Sequence, residues 1–426
     1  MRTAEDLKQK QWGLREFRVK RYISISGYFH CPLPMKLVLY VDQSTYPKDI
    51  IMELKAESVS WKMEFRRNLL LQNIFRNGPI GRLELSRNLK MSKSRLCEVI
   101  LEMIDEGLIV EDLRGSERRG RNPVPLSTNP DYGSFVGIDF EAQRMRLVVV
   151  NFSGEILYKK QQPLHPEMDS GRLIKKLLRF IESGVKTAES SNANVLGIGV
   201  AAPGITHRST GTLVHYDLIP SIKNIPIRNL VENRTGLPCV VDNNIRCYAL
   251  TEWTHGAAQG MDNFICLAVR SGFGSAIVLN GSLLDGSHGF SGEAGYVAVP
   301  SEKPASKWKT LQEIVSEKAL QVAPDTNLAT LPKAKVQKAG ELVGAQAASM
   351  AALLDPEAII LIGALLEIDS PLWPVVYETY DRFILSDIAD IVPLVHSEVG
   401  SYAAAVGATQ RCFQEIYPTS INSYHG

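Results

Sequence analysis

The sequence predicts an α/β fold with a small three-helix unit in front of it. Three observations predict it. Between residues 65 and 106 apolar side chains recur at helical spacing, interrupted at Asn77-Gly78-Pro79 and ended at Gly107. From residue 135 onward, short runs rich in Val and Ile alternate with longer helical patterns, the signature of a mostly parallel sheet. Charge also divides near the same place. Residues 1–125 hold 23 Lys and Arg against 16 Asp and Glu, whereas residues 126–426 hold 24 against 30. The net charge of +1 is therefore a cancellation of a basic front against an acidic rear, which suggests two modules with different partners.

Residues 1–58 show neither the helical nor the strand period, and they are expected to be an accessory, poorly ordered extension, or to precede a later start at Met35, Met52 or Met63. Residues 59–128 are expected to form the small helical domain. Leu70, Leu71, Ile74 and Phe75 lie on one face of a first helix, and Gly78-Pro79 stops it. Residues 82–89 make a second helix with Leu85 and Leu89 inward. Ser92 is placed to cap a third, over residues 93–106, which turns Leu96, Val99, Ile100 and Met103 to the core. Leu108-Ile109-Val110 begins a ribbon with a basic tip, and Val124-Pro125-Leu126 closes it.

Three helices and a two-stranded ribbon describe a winged helix-turn-helix. Such a unit suits DNA, because a helix fits the major groove and its N-terminal residues reach base edges. Ser92, Ser94 and Arg95 are the candidates for bases, with Lys93 nearer phosphate; Arg118, Arg119 and Arg121 on the ribbon tip would neutralise phosphates or enter the minor groove. The alternative is a small protein-binding module with a solvated basic tip.

Residues 129–426 carry the α/β pattern. Residues 135–140, 145–151 and 155–159 read as a three-strand meander, followed by a helix over 170–190 and a strand over 195–201. Val240-Val241 leads into Asp242-Asn243-Asn244 and a helix over 245–255. A hairpin pairs 263–269 with 274–279, and a helix over 341–354 precedes a strand over 358–362. The meander makes the sheet mixed. No apolar run spans a bilayer, and the N-terminus lacks the apolar core of a secretory signal. Cys31, Cys97, Cys239, Cys247, Cys266 and Cys412 are scattered without a Cys-x-x-Cys pair, so a reduced, cytoplasmic setting is expected.

The order of motifs over residues 62–412 resembles the ROK family (repressors, open reading frames and sugar kinases). The marks are Gly137-Ile138-Asp139, Ala202-Pro203-Gly204, the stretches 222–227 and 236–244, Gly289-Phe-Ser-Gly-Glu-Ala-Gly295, and the stretch 356–363. The helical front and the Asn129-Pro130 join resemble the regulator branch. The resemblance implies a two-lobed actin/hexokinase-like (ribonuclease H-like) fold with a sugar between the lobes.

Against the family's kinases, three parts are altered. Asp139-Phe140-Glu141-Ala142-Gln143 stands where they carry Asp-x-Gly-Gly-Thr, which puts the Glu141 charge where phosphate would approach. The second phosphate loop is Arg270-Ser271-Gly272-Phe273-Gly274-Ser275-Ala276, with two matching glycines. Asn244 replaces the aspartate that serves as base, and an amide cannot accept a proton at neutral pH. Phosphoryl transfer needs all three, so no catalytic residue is expected.

Sugar-contacting positions carry over to Asn243 and Glu293, with Asn244, Tyr296 and Gln312 as further ligand-binding candidates. Tyr296 replaces a His that also binds zinc in some members, and residues 297–308 lack the cysteines of the zinc loop, so neither metal nor cofactor is expected. His288 and Trp308 are weaker pocket candidates. The expectation is a sugar-responsive transcriptional regulator, a repressor, binding an operator as a homodimer or homotetramer and a sugar or sugar phosphate as effector, with no membrane partner. The alternatives are an ATP-dependent sugar kinase with a regulatory head, and a scaffold that has lost its ligand.

Overall fold

The computed structural model describes residues 48–112, 124–141, 143–164, 168–191, 193–300, 307–322, 326–385 and 391–419, with side chains from Lys62 onward. The expectations for residues 1–47, and those for Arg118, Arg119 and Arg121, lie outside the described residues.

The front begins with α1 (Lys48–Asn77), α2 (Arg82–Asn88) and α3 (Lys93–Asp105), followed by β1 (Ile109–Glu111) and β2 (Leu126–Thr128). Helix α1 begins well before residue 65, where the helical spacing of apolar side chains starts. Residues 48–58, read as lacking a period, are its first turns. Strands β1 and β2 pair antiparallel, and Ile80 adds a bridge to Leu126. Three helices followed by an antiparallel ribbon is the element order the sequence reading expects of this segment. Of the positions the period marks, Leu70, Leu71, Ile74, Leu85, Leu96, Val99, Ile100 and Met103 are buried together, and Phe75 and Leu89 are partly buried against them. Ser92 occupies the cap position of α3 in an extended conformation, yet its hydroxyl makes no capping bond. The expected cap is thus a matter of position only, and the hydroxyl stays exposed.

The larger part is built from two sheets with the same plan. In chain order come β3 (Ser134–Phe140), β4 (Arg144–Asn151), β5 (Ile156–Pro163), α4 (Ser170–Ser190) and β6 (Val195–Ala202). A small antiparallel sheet follows, of β7 (Ile205–His207), β8 (Thr212–His215) and β9 (Lys223–Pro226), then α5 (Ile227–Thr235), β10 (Cys239–Asn243) and α6 (Asn244–His255). The second lobe holds β11 (Phe264–Val269), β12 (Phe273–Leu279), β13 (Ser282–Leu283), the ribbon of β14 (Ala298–Pro300) and β15 (Trp308–Thr310), and short helices α7 (Gln312–Val315) and α8 (Glu317–Leu320). Helix α9 (Lys333–Leu354), β16 (Ala358–Ile362), α10 (Trp373–Phe383) and β17 (Leu394–His396) complete it, and α11 (Ala403–Ile416) returns to the first lobe.

The first sheet runs β10-β6-β3-β4-β5 and the second β17-β16-β11-β12-β13. In each, an antiparallel meander of three strands is extended by two parallel strands. Helices α4 and α5 cover one face of the first sheet, and α9 and α10 cover one face of the second. Helices α6 and α11 fill the layer between the sheets. The head packs on the first sheet through Phe135, Val148, Val150 and Phe152, an aromatic cluster completed by Phe75, Phe413 and Tyr417. Among the described residues no helix is long and apolar enough to cross a membrane.

Helix α11 is buried on every side from Ala403 to Phe413. Glycine makes this possible. A Cβ on Gly199 would lie 2.0 Å from the Ala408 carbonyl oxygen, and one on Gly407 would lie 1.7 Å from that of Cys247. Backbone thus meets backbone at the sheet and at α6, where nothing flexible can yield. Gly407→Val is expected to cost about 3 kcal/mol or more, the upper range of overpacking, read as a lowered midpoint in chemical denaturation.

Candidate functional site: the cleft between the lobes

The lobes meet in a cleft of about 730 Å³. From the first lobe come Gly204, His215, Asp217, Asn243 and Asn244; from the second come Arg270, Glu293, Tyr296 and Gln312. The five ligand candidates of the sequence, Asn243, Asn244, Glu293, Tyr296 and Gln312, are therefore gathered in one place. His288 and Trp308 do not line the cleft; both are exposed.

The five differ in what their side chains have left to offer. Asn243 caps α6: its Oδ1 accepts from the Ile245 amide at 2.8 Å and its Nδ2 donates to the Gly204 carbonyl at 3.0 Å. Local turn geometry thus takes up most of its hydrogen bonding. Asn244, one residue on, is buried, and its side chain makes no hydrogen bond to another described residue. The Glu293 carboxyl likewise has no hydrogen-bond partner among the described residues, although it is largely buried. Its loop is held close to β12, since a Cβ on Gly292 would lie 2.2 Å from the Ser275 carbonyl oxygen. Burial pushes the Glu293 carboxyl up to about 7, and the Arg246 charge opposes that shift. An amide and a carboxyl left without protein partners in a cleft are what hydroxyl-rich ligands need.

Gln312 bridges the lobes by donating to Asp217 Oδ2 at 3.1 Å, and it also bonds the exposed Tyr296 hydroxyl. The other oxygen of Asp217 is paired with His215 Nε2. His215 and Asp217 are site residues the sequence reading missed. They lie at and just beyond the end of β8, in a stretch without helical or strand signal long enough to flag them.

At the far end of the cleft Arg270 meets Glu141 across the lobes, Nη2 to Oε1, at 3.0 Å. Its Nη2 is also 4.0 Å from Oδ2 of Asp139, which is fully buried and accepts from Arg146 Nη1 at 2.9 Å. The Arg270 guanidinium lies over the Tyr248 ring, 5.2 Å from its centroid. Burial pushes Asp139 up to about 6, with Arg270 and Arg146 pulling it down and Glu141 adding to the rise. Burial, then Glu141, raises Glu317 to about 7. The sequence places a bare negative charge at Glu141. In the structure that charge is paired with Arg270, and both side chains line that end of the cleft.

Beneath the cleft lies a second ionic cluster, equally invisible in the sequence. Arg246 Nε bonds Asp242 Oδ1 at 2.8 Å, and its Nη2 bonds Asp285 Oδ1. Arg411 Nε lies 3.0 Å from Asp242 Oδ2 and its Nη2 3.7 Å from Asp285. Arg208 joins Asp285 to Glu415, 3.2 Å away. Three guanidinium groups thus balance three carboxylates drawn from both lobes and α11. Among the described residues, no three His, Cys, Asp or Glu side chains are gathered to hold a metal.

Two lobes of equivalent topology, a polar cleft between them and a helix-ribbon head define the actin/hexokinase-like class in its head-bearing form. The chain belongs to the ROK family, whose model matches residues 135–414. It is 31% identical over 262 residues to the xylose repressor of Caldicellulosiruptor bescii, a match covering 60% of this chain and 65% of that protein, just under two thirds of its length. It is 25% identical over 362 residues to the xylose repressor of Bacillus subtilis, covering 80% of this chain and 93% of that one. In fold it is similar to a ROK family transcriptional regulator described as a homolog of the E. coli MLC protein, with a TM-score of 0.69, 23% identity, and coverage of 82% and 96%. The ROK hexokinase from Thermus thermophilus aligns at a TM-score of 0.55 with 27% identity, covering 66% of this chain and 99% of the enzyme. That alignment covers less of the chain than the regulator's does.

Proposed function

We propose that the chain is a sugar-responsive DNA-binding transcriptional repressor of the cytoplasm, whose cleft binds a sugar without phosphorylating it. One observation carries this reading: the sugar end of the cleft keeps unpartnered groups, the Glu293 carboxyl and the Asn244 amide, while the ion-paired Arg270 and Glu141 line the other end. A phosphoryl donor would have to bring its phosphates up to the Glu141 carboxylate and its ion pair, and Asn244 offers no base for a sugar hydroxyl. The names of the similar repressors make D-xylose the first effector to try.

The head reads the operator through the start of α3. Ser92, Lys93 and Ser94 are exposed there, while Arg95 is held 3.4 Å from Glu98 and must leave that weak pair to reach a base. Arg118, Arg119 and Arg121 are proposed as ribbon contacts on sequence grounds alone. The protein acts as a homodimer or homotetramer, two heads occupying successive major grooves. Sugar closes the lobes and thereby alters the heads, by no more than its differential affinity for the two shapes. Lys93→Ala is expected to weaken operator binding about uniformly across sequences and to lower the salt slope by about 1, as loss of a single phosphate contact does.

The test is operator binding by the purified protein, with and without a panel of D-xylose, D-glucose and N-acetyl-D-glucosamine. A sugar that changes the affinity supports the reading. ATP-dependent phosphorylation of any of them, abolished by Asn243→Ala, would support instead the kinase that the fold also serves.

A further inference from the structure

The last turn of α11 has two faces with different neighbours. One face belongs to the ionic cluster under the cleft: Arg411 reaches Asp242 of the first lobe and Asp285 of the second, and Glu415 pairs with Arg208. The other face belongs to the head. Phe413 stacks on Phe75 of α1 with ring centroids 4.4 Å apart. Just beyond the helix, the carbonyl of Tyr417 accepts from Gln72 Nε2 at 2.6 Å, and that of Pro418 accepts from Asn68 Nδ2 at 3.2 Å. Upstream of this turn α11 is clamped, backbone against backbone, by Gly199 and Gly407.

The cleft reaches the same cluster within two residues. Asn244 and Arg246 are neighbours at the start of α6, and the Arg246 charge acts on Glu293. Arg246 also bonds the Leu284 carbonyl at 2.7 Å and Asp285, so it ties the second lobe to the floor of the cleft. A rigid-body shift of the second lobe carries Asp285 with it. Asp285 can move only by dragging or releasing the guanidinium groups of Arg208, Arg246 and Arg411. A packed helix does not absorb such a displacement gradually, because interiors of this density are nearly incompressible.

We propose that Arg411, with the turn of α11 that bears it, is the link through which the sugar cleft acts on the DNA-binding head. Arg411 does not line the cleft and does not face DNA; it is a positioning residue that joins the two. The inference rests on the sugar-binding reading of the cleft, and adds to it the route by which binding is felt some distance away. Contiguity alone is not coupling, so the test must separate binding from transmission.

Calorimetry with D-xylose, D-glucose and N-acetyl-D-glucosamine reads the first, and hydrogen exchange of amides in residues 64–77 of α1, with and without the bound sugar, reads the second. In the unaltered protein the sugar is expected to change that exchange about fivefold or more, the low end of ordinary allosteric coupling. Arg411→Met is expected to keep sugar affinity within about threefold and to lose most of the exchange response, and Arg411→Lys to recover part of it, since a point charge replaces a fork. A purely structural Arg411 would lower stability without uncoupling the two readouts. Phe413→Leu, on the face of the turn that meets Phe75 of the head and the first-sheet aromatics Phe135 and Phe152 and not the ionic cluster, carries the same expectation and serves if Arg411→Met does not fold. An unaltered protein that binds sugar without a response in α1, or an Arg411→Met that responds fully, overturns the proposal. If none of the three sugars binds the unaltered protein, the cleft reading itself fails and the proposal falls with it, a result calorimetry gives before any exchange is measured.

Discussion

Glu293→Ala is expected to lower sugar affinity by about 10- to 100-fold, because a hydrogen bond to a charged group in a protected site is worth about 1.5–3 kcal/mol. The carboxyl is largely buried and has no protein partner among the described residues, so nothing in the unliganded cleft depends on it. Folding should be unimpaired or slightly improved. The sign follows from its titration. A carboxyl raised to about 7 by burial holds a proton in the folded chain over a range where the unfolded chain has released it. Its contribution to stability is therefore present below the ordinary carboxylate range and lost as pH rises through about 7. Sugar affinity moves the other way: the ionised carboxylate is the better acceptor, so binding should tighten between about pH 6 and pH 8 and release a proton. Glu317 and Asp139 titrate in the same region, so the control is Glu293→Gln. Calorimetry across that range should show the pH slope in the unaltered protein and its loss in this variant.

Asp242→Ala is expected to cost about 3–5 kcal/mol of stability, as breaking a buried ion pair does. Asp242 is buried between Arg246 and Arg411, and removing it leaves two guanidinium groups in a protected setting with their main counter-charge gone. Burial alone would raise this carboxyl, but Arg246, Arg411 and Arg208 outweigh it and hold it below the ordinary carboxylate range. With the folded value depressed, the stabilising contribution is present above the unfolded value and is lost as pH falls through the folded one. Unfolding by denaturant at neutral pH should show the full loss for the variant. As pH falls through the depressed folded value the two proteins should converge, since the unaltered carboxylate then takes up a proton as well.

Much of this architecture is legible in the sequence because it is periodic. The inward positions of α1, α2 and α3 follow helical spacing, and β3, β6 and β16 are continuous apolar runs of the kind buried on both faces. What is not legible lacks a period. Helix α11 is buried on every side, so it has no polar face to mark it, and its seat depends on glycines far away in the chain. Helix α9 begins two turns before its expected start, because its first turn is lysine-rich and exposed.

The site divides in the same way. Glu293, Asn244, Tyr296 and Gln312 were found because they sit in recognisable stretches. Arg270 was read only as part of a degraded loop. Its partnership with Glu141 joins residues 129 positions apart, and only folding brings them together. Arg246, Asp285 and Arg411 are single charges in unremarkable surroundings, and no local pattern could have assembled them. Asn243 is the instructive case, because one residue serves two ends. It lines the cleft, but its side chain is occupied by the cap of α6 and the Gly204 carbonyl. An Asn243→Ala variant therefore mixes loss of a cap with loss of a contact, and Glu293 is the cleaner probe.

The central claim is that a sugar in the cleft controls DNA binding without being consumed. The most direct measurement is the affinity of the purified protein for the DNA upstream of its own coding sequence, titrated with D-xylose in the absence of ATP. A fall in affinity of about fivefold or more, within the usual range of allosteric coupling, and abolished in Glu293→Ala, is the predicted result. An affinity unmoved by D-xylose, D-glucose and N-acetyl-D-glucosamine alike, in a protein that nevertheless binds the DNA, would contradict it.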